Sequence, residues 1–212
     1  MSLKEELQEK IPENILEKLP NRFDIIGDIA VVSIPEGMES YKPEVAAAIM
    51  DRMQNIKTVL NKVSKLEGDR RVAEFEIIAG NSTETIHRES GFSYRIDLKR
   101  SFFNARLGFE RKRIASQVKS GEKVLVPFAG VGPFAIPSAA TGAYVVAVEM
   151  NPDACRCLEE NCRLNKIKEN ISIINADAND IPNLLRSDFD RAIIPTPYGM
   201  RSEEHTSELQ SR

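Results

Sequence analysis

The second half of the chain alternates short apolar runs with segments of helical character. The apolar runs have the length of buried strands, and they are VLVPF (124–128), AYVVAVE (143–149), NISIINA (170–176) and DRAIIP (190–195). The segments with helical spacing or helix-starting residues are 106–119, 133–141, 152–166 and 180–185. Strands that alternate with helices pair in parallel. The pattern therefore predicts a Rossmann-like α/β domain over residues 101–200, with an incomplete parallel sheet.

The first hundred residues show a different order of elements. Apolar positions at helical spacing predict one amphipathic helix over residues 3–18, within an N-terminal segment 1–21. FDIIGDIAVVSI (23–34) predicts two strand pieces around a turn at Gly27-Asp28. A helix is then predicted over 42–54, and the strand candidates that follow are 57–63, 71–80, 82–90 and 92–100. This mixture predicts a small α+β domain over residues 22–100.

The last twelve residues, 201–212, differ from the rest of the chain. Their sequence, RSEEHTSELQSR, is polar and follows directly on a strand pattern. It resembles the peptide obtained by translating through a sequencing-library adapter. We therefore expect a non-native tail, and a natural chain that continues differently after about Met200.

Composition excludes several classes of protein. No apolar run in the 212 residues approaches the roughly 20 that a membrane-spanning helix needs, and the charged N-terminus is unlike a secretory signal. Cys155, Cys157 and Cys162 have no histidine nearby and no zinc-site spacing. We expect a cytoplasmic, monomeric protein with reduced thiols, no metal and no membrane partner.

The most informative motif is a glycine turn followed by a distant acid. FAGVG (128–132) ends the first apolar run, and Glu149 stands at the end of the second, nineteen residues after Gly130. Glycine lets a backbone approach a ligand, and an acid at this place accepts hydrogen bonds from ribose hydroxyls. Phe134-Ala135 stands where a third glycine of a dinucleotide motif would be. The motif therefore predicts a nucleoside cofactor without a pyrophosphate.

Two further patterns point toward the same site. Asp177-Ala178 follows the third apolar run, and two roles are open for the acid: a contact with an adenine amino group, or capping of a helix.

A basic segment lies before the glycine turn. Residues 95–123 hold nine Lys and Arg against three Asp and Glu, which predicts a basic face for phosphates. Phe102 and Phe103 lie within it, as stacking or as core residues. Arg106 and Glu110 are four residues apart, which predicts a surface ion pair.

These segments resemble a known enzyme family. The resemblance covers residues 20–200 and is carried by IIGDIAVVSIPE, HRESGFSYRIDLKRSFFNARLGFERKRI, FAGVGPFAIPSA, VAVEMNPDACRCLEENCRLNK and DRAIIPTP. They are similar to the archaeal and eukaryotic tRNA guanine-37 N1-methyltransferases and their relatives in wybutosine synthesis. The resemblance implies a class I methyltransferase domain behind a small α+β domain. It also implies S-adenosylmethionine as cofactor and the anticodon-loop region of tRNA as partner.

The resemblance also assigns roles by position. It implies that Glu110 is the general base on guanine N1 and that Arg71 stabilises negative charge on the guanine, although Arg70 is an alternative for the latter. A base is needed because guanine N1 carries a proton near neutral pH, and a cation near the guanine stabilises the charge that develops. The cofactor-side residues that it implies are Phe102, Arg111, Ala129, Gly130, Gly132, Glu149, Met150, Asp177 and Ala178.

Two departures from the family pattern leave the reaction open. Val126-Pro127 stands where the first strand usually ends in an acid, and Pro195-Thr196-Pro197 replaces an Asn-Leu-Pro. Proline has no side-chain amide, and the relatives that transfer the aminocarboxypropyl arm of the cofactor also lack the asparagine. Methyl transfer to guanosine 37 remains the main hypothesis. Aminocarboxypropyl transfer, methylation of another substrate and a non-enzymatic RNA-binding paralogue are the alternatives.

Overall fold

The computed structural model describes residues 3–63, 73–167, 169–185 and 188–195. The predicted Arg71 and the tail 201–212 therefore lie outside the described residues. The helices are α1 (Leu3–Leu7), α2 (Glu13–Leu16), α3 (Lys42–Arg52), α4 (Gly108–Ala115), α5 (Ala135–Ala139), α6 (Pro152–Leu164) and α7 (Ile181–Leu184). The strands are β1 (Asp24–Ile26), β2 (Ile29–Val32), β3 (Thr58–Lys62), β4 (Phe75–Ala79), β5 (Glu84–Glu89), β6 (Phe92–Asp97), β7 (Lys123–Pro127), β8 (Tyr144–Glu149), β9 (Ile171–Asn175) and β10 (Arg191–Ala192).

The small N-terminal unit is built on a four-stranded sheet of order β1-β2-β3-β4. Strands β1 and β2 form the predicted antiparallel hairpin, with Asp24 opposite Val31. Strand β3 runs parallel to β2, with α3 as the crossover between them, and β4 returns antiparallel. The mixed sheet with a helix on it agrees with the α+β architecture expected from the sequence.

The single helix predicted over residues 3–18 is wrong. Two short helices, α1 and α2, replace it, because Pro12 caps the start of α2 and cannot donate the N–H that a continuous helix needs. Leu3, Leu7 and Leu16 are buried in one cluster with Val45 of α3. The N-terminal segment is therefore part of the core of the small unit.

The second sheet has the order β10-β7-β8-β9, and every pair in it is parallel. Strands β7 and β8 are rich in valine, and Val124, Val126, Val145 and Val148 are buried, as expected for strands covered on both faces. Helices α5 and α6 connect β7 to β8 and β8 to β9. Because parallel strands run in the same direction, the carboxyl ends of β7, β8 and β9 lie at one edge of this sheet.

Two helices begin later than their sequence patterns indicate. Helix α4 starts at Gly108 after a 3₁₀ turn, Ala105–Leu107, and the Asn104 side chain caps that turn. Helix α5 starts at Ala135, so Pro133 lies before the helix and not in its first turn as predicted. The glycine turn is consequently two residues longer than expected.

The hairpin β5–β6 is joined to α6 by two asparagines that act as a substitute strand. The Asn165 side chain accepts a hydrogen bond from the Ser93 N–H at 2.8 Å and donates to the Ser93 carbonyl at 2.7 Å. Asn161, which is fully buried, makes the same pair of bonds with the backbone of Arg95. It also donates to the Val131 carbonyl at 3.0 Å. The hairpin and the glycine turn are thereby held by one side chain.

Replacement of Asn165 with alanine should therefore destabilise the protein by about 1–2 kcal/mol, because the N–H and carbonyl of Ser93 lose their partner. Urea unfolding of the wild type and the variant measures this difference. The control is the exposed Glu159, six residues earlier on α6. Its alanine variant should unfold like the wild type. Equal stability of all three proteins would contradict the substitute-strand interpretation.

One hydrophobic core spans the two halves of the chain. Ile29 and Leu60 of the small unit are buried in the same cluster as Tyr94 of the hairpin and Val126 of the parallel sheet. The boundary predicted at residue 100 separates the hairpin from a sheet with which it shares this core. Among the described residues, no helix is both long and apolar enough to cross a membrane.

Candidate cofactor and catalytic site

The Glu149 carboxylate holds the glycine turn at the edge of the parallel sheet. One of its oxygens accepts a hydrogen bond from the Gly130 N–H at 2.7 Å, and the other accepts from the Asn151 N–H at 2.8 Å. The Ala129 N–H donates to the Val148 carbonyl at 3.0 Å. The predicted turn and the predicted acid are therefore joined directly. Each carboxylate oxygen keeps a second lone pair with which to accept a ligand hydroxyl.

The two glycines of the turn have different surroundings. Both have positive φ angles, +56° at Gly130 and +94° at Gly132. A Cβ on Gly130 would meet only the Phe102 carbonyl, at 3.9 Å, so space is open beside it. A Cβ on Gly132 would lie 2.3 Å from the Leu158 side chain. Open space thus lies beside Gly130, where the sequence predicts a ligand, while the absence of a side chain at Gly132 allows helix α6 to pack.

The end of β9 is fastened beside Glu149. The Asn175 side chain donates to the carbonyls of Glu149 and Met150, both at 2.9 Å. Asp177 accepts a hydrogen bond from the Asn179 N–H and so caps the following 3₁₀ turn. The predicted pairs Glu149-Met150 and Asp177-Ala178 are therefore brought together. The capping role of Asp177 is present, and its role toward adenine stays a prediction.

The two adjacent phenylalanines separate into the two roles that the sequence left open. Phe103 is buried in the core, whereas Phe102 is 44% exposed, and its backbone carbonyl lies 3.9 Å from the position that a Cβ on Gly130 would take. This segment is held in place by Asn151, which donates to the Arg100 carbonyl at 2.7 Å. The stacking role predicted for Phe102 is compatible with its exposure and stays a prediction.

Arg111 is buried, and its guanidinium is used within the protein. It makes two hydrogen bonds of 2.5 Å to Glu89, donates to the Asn104 carbonyl at 2.9 Å, and lies 4.9 Å from the centre of the Phe103 ring. Burial raises the pKa of Glu89, but hydrogen bonds from His87 and Arg111 outweigh it, and the pKa is lowered overall. Arg111 anchors α4 to the hairpin, and its predicted contact with cofactor stays a prediction.

Glu110 lies at the start of α4, and its partner differs from the predicted one. Both of its oxygens accept hydrogen bonds from Arg113, at 2.5 and 2.7 Å, whereas Arg106 pairs with Asp24 of β1 at 2.6 Å. The predicted Arg106–Glu110 ion pair is therefore wrong. The 3₁₀ turn at 105–107 places Arg106 outside the helix, so four-residue spacing no longer puts the two side chains on one face.

The basic segment 95–123 is largely neutralised in the structure. All five of its arginines have acidic partners, and these are Arg95 with Glu160, Arg100 with Asp97, Arg106 with Asp24, Arg111 with Glu89, and Arg113 with Glu110. Binding of a phosphate by one of these arginines therefore requires its pair to open. Several are exposed and weak enough to do so.

An open cavity of about 850 Å³ lies elsewhere, between the small unit and the hairpin. Its lining includes Asp28, Lys57, Thr85 and His87. These groups already bond to one another or to nearby backbone, because Asp28 pairs with Lys57 and Thr85, and His87 accepts from the Gly27 N–H. None of its lining residues belongs to the glycine turn. No group of three His, Cys, Asp or Glu within the described ranges is placed to hold a metal.

Comparison with protein families assigns both parts of the chain. Residues 85–207 match the TRM5/TYW2 methyltransferase domain, and residues 3–83 match the TYW2 N-terminal domain. This chain belongs to the TRM5/TYW2 methyltransferase family. The two family models meet just before the hairpin β5–β6, which agrees with its bonds to α6. The recognition of the family from its sequence motifs is confirmed.

Two of the relatives carry out different reactions, a methyl transfer and an aminocarboxypropyl transfer. Trm5b of Pyrococcus abyssi, a tRNA (guanine(37)-N(1))-methyltransferase, is 43% identical over 165 residues, which are 77% of this chain and 50% of that protein. The tRNA(Phe) (4-demethylwyosine(37)-C(7)) aminocarboxypropyltransferase of Pyrococcus horikoshii is 34% identical over 181 residues, 85% of this chain and 64% of that protein. The chain thus spans half to two thirds of these TRM5/TYW2 relatives.

Solved structures of the TRM5/TYW2 family share the fold. A complex of aTrm5 with tRNALeu superposes with a TM-score of 0.83 at 31% identity, covering 93% of this chain and 58% of that one. TYW2 of M. jannaschii in complex with AdoMet gives a TM-score of 0.60 at 28% identity, covering 84% and 66%. The predicted fold class, a Rossmann-like methyltransferase domain behind a small α+β unit, is confirmed.

Sequence reasoning missed the residues that position the site. Asn161, Asn165 and Asn175 bond to backbone at the hairpin, the glycine turn and the end of β8. Glu89 fixes α4 through Arg111. In the sequence, such a role is indicated by the place of Asn161 on the apolar face of α6, with Leu158 and Cys162, where an asparagine needs hydrogen-bond partners.

Proposed function

We propose that this protein transfers the methyl group of S-adenosylmethionine to N1 of guanosine 37 in tRNA. The observation that carries the proposal is the hydrogen bond between Glu149 and the Gly130 N–H at the edge of the parallel sheet. This hydrogen bond joins the acid that we expect to bind the ribose to an open glycine turn that lacks the third glycine of a pyrophosphate site. Membership of the TRM5/TYW2 family and the tRNA bound by aTrm5 support the choice of substrate.

The residues at the sheet edge fit this cofactor. Open space beside Gly130 accepts the ligand, Glu149 receives its ribose hydroxyls, and Phe102 and Met150 offer exposed apolar surface for the adenosine. When bound, the sulfonium of S-adenosylmethionine supplies an activated methyl group, so the protein has mainly to orient the two reactants. Asp177 and Ala178, which follow β9, are expected on the adenine side of the cofactor.

Replacement of Glu149 with glutamine should weaken S-adenosylmethionine binding about 10- to 100-fold. The amide has one acceptor oxygen and cannot receive both backbone N–H groups and the ribose, and hydrogen bonds to charged groups are the stronger ones. Isothermal titration calorimetry measures the affinity. The matched variant Glu160→Gln, at an exposed position on α6, should bind like the wild type. Equal affinity of all three proteins would remove Glu149 from the cofactor site.

The proposed chemistry uses Glu110 as general base and Arg71 as the cation near the guanine. Glu110 accepts the N1 proton, and the electron pair left on N1 forms the new bond to carbon. Phe109, directly before Glu110, is 82% exposed and provides an aromatic surface on which a nucleotide of the loop can stack. An RNA bound there would have its target base close to Glu110.

Aminocarboxypropyl transfer from the same cofactor is the second candidate. Pro195 follows β10 where the resembling methyltransferases carry an asparagine, and residues 3–83 match a domain named after TYW2. Both observations also fit a methyltransferase whose asparagine is dispensable. The higher identity to Trm5b favours methyl transfer as the first candidate.

The deciding experiment offers the protein both kinds of tRNA. The protein is incubated with S-adenosylmethionine and either unmodified tRNA or tRNA that carries 4-demethylwyosine, and the digested nucleosides are identified by mass spectrometry. A methyl group on guanosine 37 supports the first candidate. An aminocarboxypropyl group on the tricyclic base supports the second. Bound cofactor without either product would contradict both, and would favour another substrate or a non-enzymatic RNA-binding paralogue.

The compartment and the oligomeric state stay predictions. A cytoplasmic monomer is expected, and analytical ultracentrifugation tests its oligomeric state. The predicted non-native tail, 201–212, lies outside the described residues, although the family match extends to residue 207.

A further inference from the structure

Both carboxylate oxygens of the proposed general base, Glu110, are occupied by a side chain from the same helix. Arg113, one turn after Glu110, donates from two of its nitrogens to the two carboxylate oxygens at 2.5 and 2.7 Å. This hydrogen bond, with the positive charge, lowers the pKa of Glu110. A general base works best when its pKa approaches the working pH. The observed arrangement therefore keeps Glu110 ionised but makes it a poor proton acceptor.

No other charged group in the described part of the chain accounts for this effect. Helix α4 packs against α5, whose residues carry no charge. It also follows the 3₁₀ turn 105–107, where Arg106 is paired with Asp24 of β1. The neighbouring Arg111 bonds to Glu89. Control of Glu110 thus falls to Arg113 alone among the charges that affect its pKa.

The two arginines of α4 differ in burial. Arg111 is buried with four internal contacts, so it cannot leave Glu89 without exposing a buried charge. Arg113 is 50% exposed and Glu110 is 39% exposed. Exposed ion pairs contribute little to stability and exchange readily with other partners. The guanidinium fork that binds a carboxylate also matches a phosphate.

We propose that Arg113 occupies the carboxylate of Glu110 in the RNA-free protein and moves to a backbone phosphate when RNA binds. This movement frees Glu110 to take the N1 proton. The inference rests on the function proposed above. In the step concerned, the N1–H bond breaks, the proton goes to a Glu110 oxygen, and the electron pair stays on N1. Arg113 does not touch the reacting atoms, so it is a positioning residue that couples RNA docking to the base.

The first test measures the ionisation of Glu110 without relying on turnover. Carboxyl ¹³C NMR of the full chain, with the signal assigned by its loss in Glu110→Gln, gives the pKa with and without an anticodon stem-loop RNA. In the wild type, RNA should raise this pKa by about one unit. In Arg113→Gln it should be raised already in the free protein and change little with RNA. Arg163→Gln, which removes a matched exposed arginine from α6, should behave like the wild type.

The second test locates the phosphate. Stem-loop RNAs that each carry one neutral methylphosphonate linkage are compared in single-turnover reactions of the wild type and Arg113→Gln. One linkage should slow the wild type roughly tenfold and have no further effect in the variant, because both changes remove the same contact. Strictly additive effects at every linkage would overturn the proposal.

The outcomes separate this inference from the proposed function. RNA-dependent ionisation without a methylated product would leave the Arg113 coupling standing and refute methyl transfer. Methylation of guanosine 37 with a Glu110 pKa that RNA does not change would support the reaction and refute the coupling. Failure of the RNA to bind would refute both.

Discussion

Glu110→Gln should slow methyl transfer by about 10²- to 10⁴-fold, the usual contribution of a positioned general base. Glutamine keeps the size and the helix position of Glu110 but cannot accept the N1 proton. Cofactor affinity should be unchanged, because Glu110 lies on α4 and not at the glycine turn. Single-turnover assays with saturating tRNA and S-adenosylmethionine measure the rate of the chemical step.

The control is Glu159→Gln, which removes a carboxylate from a comparable exposed ion pair, with Arg163 on α6. This variant should turn over like the wild type. At limiting tRNA, where the rate reflects the free protein, the wild-type rate should rise with pH until Glu110 is ionised. The hydrogen bond from Arg113 lowers its pKa, so this limb lies below the ordinary pH range of a glutamate in the free protein. Unchanged turnover in Glu110→Gln would refute the general-base role and favour a different reaction.

Gly132→Ala should destabilise the fold by about 2–5 kcal/mol, combining the cost of positive φ with that of overpacking a core. A Cβ at this position would lie 2.3 Å from the Leu158 Cδ1 atom and 3.0 Å from the Ile136 Cδ1 atom, at a φ of +94°. Leu158 is fully buried in α6 and cannot move away freely. Urea unfolding of the cofactor-free protein measures the loss.

Gly130→Ala is the matched comparison two residues earlier. Its φ is also positive, but the nearest atom that a Cβ would meet is the Phe102 carbonyl at 3.9 Å. Its cost to stability should be about 1–2 kcal/mol, from the left-handed backbone alone. Its affinity for S-adenosylmethionine should also fall, by more than this loss of folding stability accounts for. If the two alanine variants were equally stable, packing against Leu158 would not be the reason for glycine at 132.

Much of the site was visible in the sequence because it depends on local geometry. The apolar runs predicted β7, β8 and β9, and the glycine turn and Glu149 follow from the ends of two of them. Chain direction alone then brings these ends to one edge of a parallel sheet. The glycine turn and Glu149 of the candidate cofactor site are therefore predictable without any knowledge of long-range contacts.

Predictions failed where a side chain had several possible partners. Arg106 and Glu110 have the spacing of a helical ion pair, but a 3₁₀ turn changes the spacing, and Asp24, 82 residues away in sequence, takes Arg106 instead. The pairing of Arg111 with Glu89 was likewise not indicated by the sequence, and the predicted contact of Arg111 with the cofactor stays a prediction. Charged side chains are long and select partners through space, so their pairing follows from the fold.

The sequence by itself indicated most of the strands and helices, the family, and the acid and glycines of the candidate site, since periodicity, turn residues and motif spacing are properties of adjacent positions. Tertiary structure alone decided how the elements are held together. Asn161 makes strand-like hydrogen bonds to β6 and a further bond to the glycine turn, and Arg113 donates to the Glu110 carboxylate. These bonds depend on which backbone and carboxylate groups come within about 3 Å, the reach of a hydrogen bond. That proximity exists only once the chain is folded.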